Sequence, residues 1–579
     1  MEKKKKMKDK KQYQYYIIII LIALLISIPL AGEGWIVAHD RHAHLSRNFA
    51  TVQGLKEGQF PPTIASDFCG GFGYAWNVFY PPLSTYIGAF FRLIVQTYVS
   101  AMNLSMVLAI IVSGITMFQL IRKVTKNDKV GLITSILYMT STYFMTDIYI
   151  RMAMGEVIAY ACFPLLFHGL YNIFYEKGKN HYLLTLGAVG VLLSHNISSL
   201  MAVALSLIFV AVNAKKLWDK ETRKQVWKDI MINAIFIILL VLFFYVPLMQ
   251  HKMATEYVAM QEGSMATRET AANHAISPYQ LIFGKFQYGD SRGIEEGTEK
   301  EMLFSLGLPI IIPLLFTPIV SQKIEKEKKT LYKATFLTGI VAAIMATTIF
   351  PWSHMPNIMI MMQFPWRMLL IATFTLSIIA GINISKCFEN FKMETIVVLT
   401  MIILMYIGQY LSSAVLYDVG FDETYLSQEN DVEEVLGGSR KCATFEYLPV
   451  KAKTEYTKNR EKGVIVLSGD AKIKNEKKEK SNMQFAIEEN KQGSYLELPY
   501  IYYLGYQVTF KGEKISYQES EHGFISIQIP EGETGEVKVR YKGTSAGKIS
   551  AGISVITGIV FIGYIAKRGK IRNEKKSKV

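Results

Sequence analysis

The feature that most constrains this chain is a recurrence of apolar runs about 20 residues long, the length that spans a bilayer's hydrocarbon core. Short basic clusters separate them. Half of the 579 residues are hydrophobic, and a soluble protein of this size would not concentrate them in repeated uninterrupted runs. The net charge of +15 raises the question of nucleic acid, but its placement answers it. Lysines and arginines gather at Lys3 to Lys11, Arg122 to Lys129, Lys215 to Lys228, Lys323 to Lys333, Lys386 to Lys392 and Lys567 to Lys578. These blocks alternate with the apolar segments as the positive-inside rule requires, with some attraction to anionic lipid besides. The charge is a topology signal, and no nucleic-acid partner is expected.

The expected fold class is a polytopic α-helical membrane protein with about twelve transmembrane helices and an extracytoplasmic β-rich domain near the C-terminus. Both termini are expected in the cytoplasm and the location is the plasma membrane. The spans read as 16–38, 101–121, 130–149, 153–174, 182–195, 197–213, 229–249, 302–320, 333–350, 367–385, 394–416 and 547–566. The apolar segment 83–97 reads instead as a helix on the outer surface, because counting it as a span would put Arg122 to Lys129 outside. The first run exceeds a signal-peptide core and has no small-x-small cleavage site, so it reads as an uncleaved anchor.

Domain boundaries follow. Residues 1–416 form a transmembrane domain with outer loops 39–100 and 250–300, the second carrying His251, Glu256, His274 and a Gly/charge-rich stretch from Gly289 to Gly297. Residues 417–545 form an outer β-sandwich-like domain, and 546–579 a final helix with a basic tail. The β reading rests on Gly463 to Leu467, Tyr495 to Leu498, Tyr506 to Phe510, Phe524 to Ile529 and Glu536 to Tyr541, separated by turn formers. The cytoplasmic loops are short and hold no Gly-rich phosphate loop, so no nucleotide cofactor is expected. Of the four cysteines, Cys162 and Cys387 fall in or beside helices; Cys69 and Cys442 face outward, and a disulfide between them is one option.

Ionisable residues at the exits of spans are costly unless used. His39-Asp40-Arg41-His42-Ala43-His44 stands where the first span ends. A partly desolvated carboxylate at that level, Asp40 or Asp67 further along the loop, can take a proton from an attacking hydroxyl; it can equally hold a metal or cap a helix. His39, His42 and His44 admit a divalent metal, with no fourth ligand fixed by the spacing. Gly70-Gly71-Phe72-Gly73-Tyr74 and Phe79-Tyr80-Pro81-Pro82-Leu83 supply tight turns and aromatic faces suited to a sugar or to the interface. Asp147 and Arg151, four apart, can pair on one helical face, with Glu156 close behind. Arginine's planar fork suits a lipid phosphate. His195 and Arg367 stand at further outer helix ends, where capping and snorkelling are the plain alternatives.

Taken in order, His39-Asp40, His44-Leu45, Gly70-Gly71-Phe72-Gly73, Phe79-Tyr80-Pro81-Pro82-Leu83, Asp147, Arg151, Gly155-Glu156, Leu193-Ser194-His195 and Gln363-Phe364-Pro365-Trp366-Arg367 resemble a family pattern. It is that of bacterial GT-C glycosyltransferases, in the branch of membrane 6-pyruvoyl-tetrahydropterin-synthase-related proteins. The tail, with Leu498-Pro499-Tyr500 and Gly505-Tyr506, is similar to that of YfhO-like proteins. The resemblance implies an outer-face enzyme moving a sugar from a polyprenyl-phosphate donor to a glycan, lipid or protein acceptor. It implies Asp40 as base, Asp67 and Glu156 as supporting acids, and Arg151 and Arg367 at the donor phosphate. His39, His44, Tyr80, Asp147 and His195 would line the substrate. The pterin label implies no pterin-synthase fold, which is a compact α+β enzyme. A non-enzymatic lipid or polysaccharide translocation or assembly factor would use the same helices; charges clustered at outer helix ends favour surface chemistry over a path through the membrane.

Overall fold

The computed structural model describes residues 2–261, 263, 266–289, 301–388, 392–423 and 446–577. Its helices of ten or more residues are α1 (Glu2–Ile26), α2 (Arg41–Lys56), α3 (Leu83–Arg92), α4 (Tyr98–Thr125), α5 (Asp128–Met139), α6 (Met154–Tyr175), α7 (Leu183–Leu192), α8 (Asn196–Val212), α9 (Arg223–Ala254), α10 (Lys326–Met345), α11 (Leu369–Cys387), α12 (Met393–Ala414) and α13 (Ser545–Ser577). This is a helical membrane protein. Six stretches among the described residues, in α4, α6, α9, α11, α12 and α13, are long and apolar enough to cross a bilayer, and Tyr13–Ile26, α7 and α8 are shorter apolar helices. Burial sorts them. The apolar windows of α6 and α11 are 83% buried, while those of α9, α12 and α13 are 22–28% buried. So α6 and α11 are the inner helices, and the other three offer Ile235, Met401, Met405 and Ile559 to their surroundings, where lipid is the compatible solvent.

Several expected spans are altered. The first helix stops at Ile26 and gives way to a 3-10 turn over Ile28–Ala31, because Pro29 and the glycines at 32 and 34 cannot carry it on. Beyond it, β1 (Trp35–Ile36) pairs antiparallel with β2 (Tyr417–Asp418), and Arg41 donates to Asp418 at 2.9 Å, tying the exit of the first helix to the exit of α12. The expected span 130–149 is broken: α5 ends at Met139, a short helix covers Thr142–Thr146, and a π-helical turn covers Asp147–Arg151. The expected span 302–320 is likewise two short helices, Leu308–Leu314 and Thr317–Lys323, interrupted where Pro313 and Pro318 remove backbone donors. The polar loop 39–82 contains a 16-residue helix, α2, and the surface segment is helical over Leu83–Arg92, with Phe90, Leu93 and Ile94 exposed at its end.

The C-terminal region holds two antiparallel sheets. One is ordered β3 (Ile465–Ser468), β6 (Ser494–Ile501), β10 (Phe524–Ile529), β9 (Gln518–Glu519). The other is ordered β4 (Lys472–Glu479), β5 (Asn482–Glu489), β11 (Gly535–Tyr541), β7 (Tyr506–Phe510), β8 (Glu513–Ile515). Alternate residues such as Phe485, Leu496, Val508, Ile527 and Val537 fill the space between, the pattern of a two-sheet core. The hairpin β4–β5 has no apolar alternation in its first strand, since Lys472–Glu479 is nearly all charged; pairing with Asn482–Glu489 places it.

This sandwich docks on the loop 39–82. Gly70, Gly71 and Gly73 all have positive φ (67°, 82° and 90°), which only glycine adopts cheaply, and the turn they make thrusts Phe72 outward. Phe72 lies against Phe524 with ring centroids 5.3 Å apart, and its carbonyl accepts from the Ile501 N–H at 3.1 Å. Lys478 donates to the Gly71 and Pro499 carbonyls at 2.5 and 3.0 Å. On the transmembrane side, His251 accepts the Leu504 N–H at 3.2 Å. Cys69 is a free buried thiol, and Cys442 lies outside the described residues, as does most of Gly289 to Gly297.

Candidate functional site

The π-helical turn builds the site. Widening the ring at Asp147–Arg151 frees carbonyls that a regular helix would consume, and Met152 follows in a left-handed conformation (φ 52°, ψ 41°). The Ile150 carbonyl accepts the His39 N–H at 3.0 Å and the Arg151 carbonyl accepts the Asp40 N–H at 2.9 Å. The chain leaving the first helix is thereby clipped to the turn carrying Arg151. Asp40 then stands at the N-terminus of α2, but its side chain makes no capping bond. Half-buried and without a side-chain hydrogen bond or ion pair among the described residues, this carboxylate is electrostatically coupled to Tyr80, Arg151 and Arg367.

Behind it is a buried ionic network. Arg151 Nη1 donates to Asp147 Oδ1 and, at 2.9 Å, to Glu156 Oε2. Tyr143 donates to Glu156 Oε1 at 2.6 Å, and Arg367 Nε stands 3.9 Å from Glu156 Oε2. Arg367 Nη1 donates to Gln363 Oε1 at 2.6 Å and to the Met362 carbonyl at 3.1 Å. Trp366 lies under both cations, 4.4 Å from the Arg151 guanidinium carbon and 5.7 Å from that of Arg367. Charges this deeply buried persist only when paired and hydrogen-bonded. Arg367 Nε and Asp147 Oδ2 nevertheless have no hydrogen-bond partner.

A third cation completes the ring. Arg47, 1% exposed, reaches from α2 over the face of Tyr80 at 3.6 Å and donates to the Pro81 carbonyl at 3.2 Å. Its Nε is also without a hydrogen-bond partner. His44, three residues earlier on the same face, lies 3.4 Å from Arg47 Nη1 and edge-on to Tyr80. Burial, then the Arg47 charge, hold the His44 imidazole well below its ordinary pKa, so it is neutral at pH 7. His195 caps α8, its Nδ1 accepting the Ser198 N–H at 3.3 Å, which puts the ring proton on Nε2. Tyr80, 6.3 Å from His195 between ring centroids, sits where Arg47, Asp40, Arg367 and Glu156 all act. Gly155 permits this approach: a Cβ there would meet the Ser194 carbonyl at 2.6 Å and the Tyr80 hydroxyl at 2.7 Å.

The structure thus brings together Asp40, His44, Tyr80, Asp147, Arg151, Glu156, His195 and Arg367. It places two named residues elsewhere. Asp67 receives Lys480 Nζ at 2.5 Å and is a strut to the sandwich. The ring of His39 donates to the Gly289 carbonyl at 2.8 Å and faces Tyr288, while its backbone N–H is bonded into the site. Glu156 has Arg151 and Tyr143 donating to its two oxygens and Arg367 alongside. Arg47, Tyr143 and Gln363 join the site beyond the residues expected from sequence; the His44-x-x-Arg47 spacing on one helical face is the signal for the first. The histidines diverge, since His42 packs against Trp35 and Phe421. Among the described residues no three His, Cys, Asp or Glu side chains converge as metal ligands. Asp147 and Glu156 are both engaged by arginine.

A family model described as the 6-pyruvoyl-tetrahydropterin synthase related domain, membrane protein, matches residues 78–416. An uncharacterized protein from Lactococcus lactis subsp. cremoris (strain MG1363) is 27% identical over 192 residues, which cover 32% of this chain and 31% of that protein. The chain therefore matches about a third of that relative's length. Among solved structures, the crystal structure of ArnT from Cupriavidus metallidurans bound to undecaprenyl phosphate superposes with a TM-score of 0.40 at 10% identity, over 73% of this chain and 68% of that one.

Proposed function

The chain belongs to the 6-pyruvoyl-tetrahydropterin synthase related membrane proteins, and from that premise we propose that it is a GT-C-type glycosyltransferase. It moves a sugar from a polyprenyl-phosphate carrier to an extracytoplasmic glycan, lipid or protein. Of the expected twelve spans, those broken into short helices are read as re-entrant or bent crossings buried in the bundle. The basic helix ends face the cytoplasm and the site faces outward.

The observation that carries the reading is the unpaired Asp40 carboxylate beside a cationic ring with unfilled donors. The acceptor oxygen attacks the anomeric carbon and its proton passes to Asp40. The anomeric carbon–oxygen bond breaks, and its electron pair leaves on the carrier phosphate. The charge of Arg151 is already offset by Asp147 and Glu156, so the phosphate falls to Arg367 and Arg47, whose Nε groups are free among the described residues. Stabilisation of the leaving phosphate by such preorganised donors is worth about 10²–10³ in rate for each donor. The sandwich orders the first outer loop, and through it Tyr80, and offers a surface for the acceptor.

Purified protein incubated with a panel of polyprenyl-phosphate sugars and envelope acceptors tests this. Release of free carrier phosphate with one donor is the expected result. Tight donor binding with no turnover across the panel would favour the translocation or assembly reading, which needs the arginines but not Asp40.

A further inference from the structure

At the other end of α11, nineteen residues from Arg367, an apolar slot opens between five helices. Its walls come from Val124 of α4, Phe167 of α6, Phe209 of α8, Thr335 of α10 and Ile378 of α11, and one side of it is open. Along α10 the lining runs from Lys328 to Thr338, and along α11 from Phe374 to Lys386. At a rise of 1.5 Å per residue these are roughly 15 and 18 Å. Half of a bilayer's hydrocarbon core is about 15 Å. The slot is therefore one leaflet deep, and its mouth is at the basic ends of the helices.

That mouth is cationic. Lys328 pairs with Glu325 at 3.0 Å, and Lys126 and Lys386 act on the same carboxylate, so three lysines share one acid. Lys328 and Lys386 themselves line the slot. An apolar channel one leaflet deep, with excess positive charge at the headgroup level, matches a lipid with an anionic head. We propose that this slot seats an acyl chain of an anionic glycerophospholipid from the leaflet at the basic end, its phosphate held by Lys328 and Lys386. A polyprenyl chain is far longer than the slot. The proposal does not rest on transferase activity, because the slot and the outer site lie at opposite ends of α11.

The test is thermal unfolding of delipidated, detergent-purified protein titrated with phosphatidylglycerol, phosphatidylcholine of the same chains, and polyprenyl phosphate. Phosphatidylglycerol is expected to raise Tm saturably and phosphatidylcholine is not; a shift with polyprenyl phosphate belongs to the Arg367 end of α11 and should be the same in the slot variants. The doubly reversed variant Lys328→Glu/Lys386→Glu, altered at the basic rim, should need roughly tenfold or more phosphatidylglycerol for the same shift. Thr338→Trp, which fills the deep end, should lose the shift altogether. Equal stabilisation by phosphatidylcholine overturns the proposal, as does an unchanged phosphatidylglycerol titration in the double variant.

Discussion

Asp40 and Glu156 show how one residue type takes opposite roles within a single site. Glu156 has every oxygen engaged by Arg151 and Tyr143 with Arg367 beside it, whereas Asp40 is held by its backbone and leaves its carboxylate unengaged. Removing the Glu156 charge leaves Arg367 without its carboxylate and Arg151 with Asp147 alone, and unpartnered buried charges cost about 3–5 kcal/mol. Glu156→Gln is therefore expected to lower the unfolding temperature markedly. Asp40→Asn should leave that temperature unchanged and reduce transfer by about 10²–10⁴, the range for a lost general base. Gly155→Ala carries a steric prediction: its Cβ has no room against the Ser194 carbonyl, so α6 must shift, and donor affinity should fall even though no charge has changed. Isothermal titration with donor checks it, and unaltered affinity would show that Tyr80 need not approach this helix.

At the scale of elements, the coupling of the sandwich to the first outer loop centres on Lys478. Burial, reinforced by Arg460 and Lys462, pushes this amine down to about 7. The unfolded chain holds that proton up to about pH 10.5, so between pH 7 and 10.5 it binds more protons than the folded one. Stability contributed at this site therefore rises with pH across that window and is flat below it. Denaturant unfolding from pH 7 to 10 should show this rise in the native protein and lose it in Lys478→Met; parallel curves would remove Lys478 as the cause. The same element marks a limit of legibility. The sandwich strands with alternating apolar residues, such as Tyr506–Phe510 and Phe524–Ile529, were readable at their boundaries because one face of each is buried. The charged strand Lys472–Glu479 was not, since its placement depends on pairing with Asn482–Glu489 and not on its own pattern. The long apolar helices were legible for the same reason of periodicity and length. The break at Thr140–Arg151 was hidden, because a π-helical turn leaves no apolar signature and depends on what Ile150 and Arg151 accept across the fold. Within the site, charged residues at helix exits were visible as exceptions to membrane cost. Arg47 was masked by its place inside a segment read as loop.

For the whole molecule, function requires the arginine ring and the sandwich on one side of the membrane and the lysine-rich helix ends on the other. In a cysteine-free background, Glu531→Cys on the sandwich should react with a membrane-impermeant maleimide in intact cells. Lys220→Cys, between α8 and α9, should react only after permeabilisation; the reverse pattern would invert the topology. With that arrangement, the account reduces to one carboxylate acting on a carrier-linked sugar beside a cationic ring. The most direct measurement is the rate of free polyprenyl-phosphate release from the accepted donor, compared between the native protein and Asp40→Asn at equal donor occupancy. The account predicts native turnover and a loss of about 10²–10⁴ in the variant; turnover at the native rate by Asp40→Asn would contradict it.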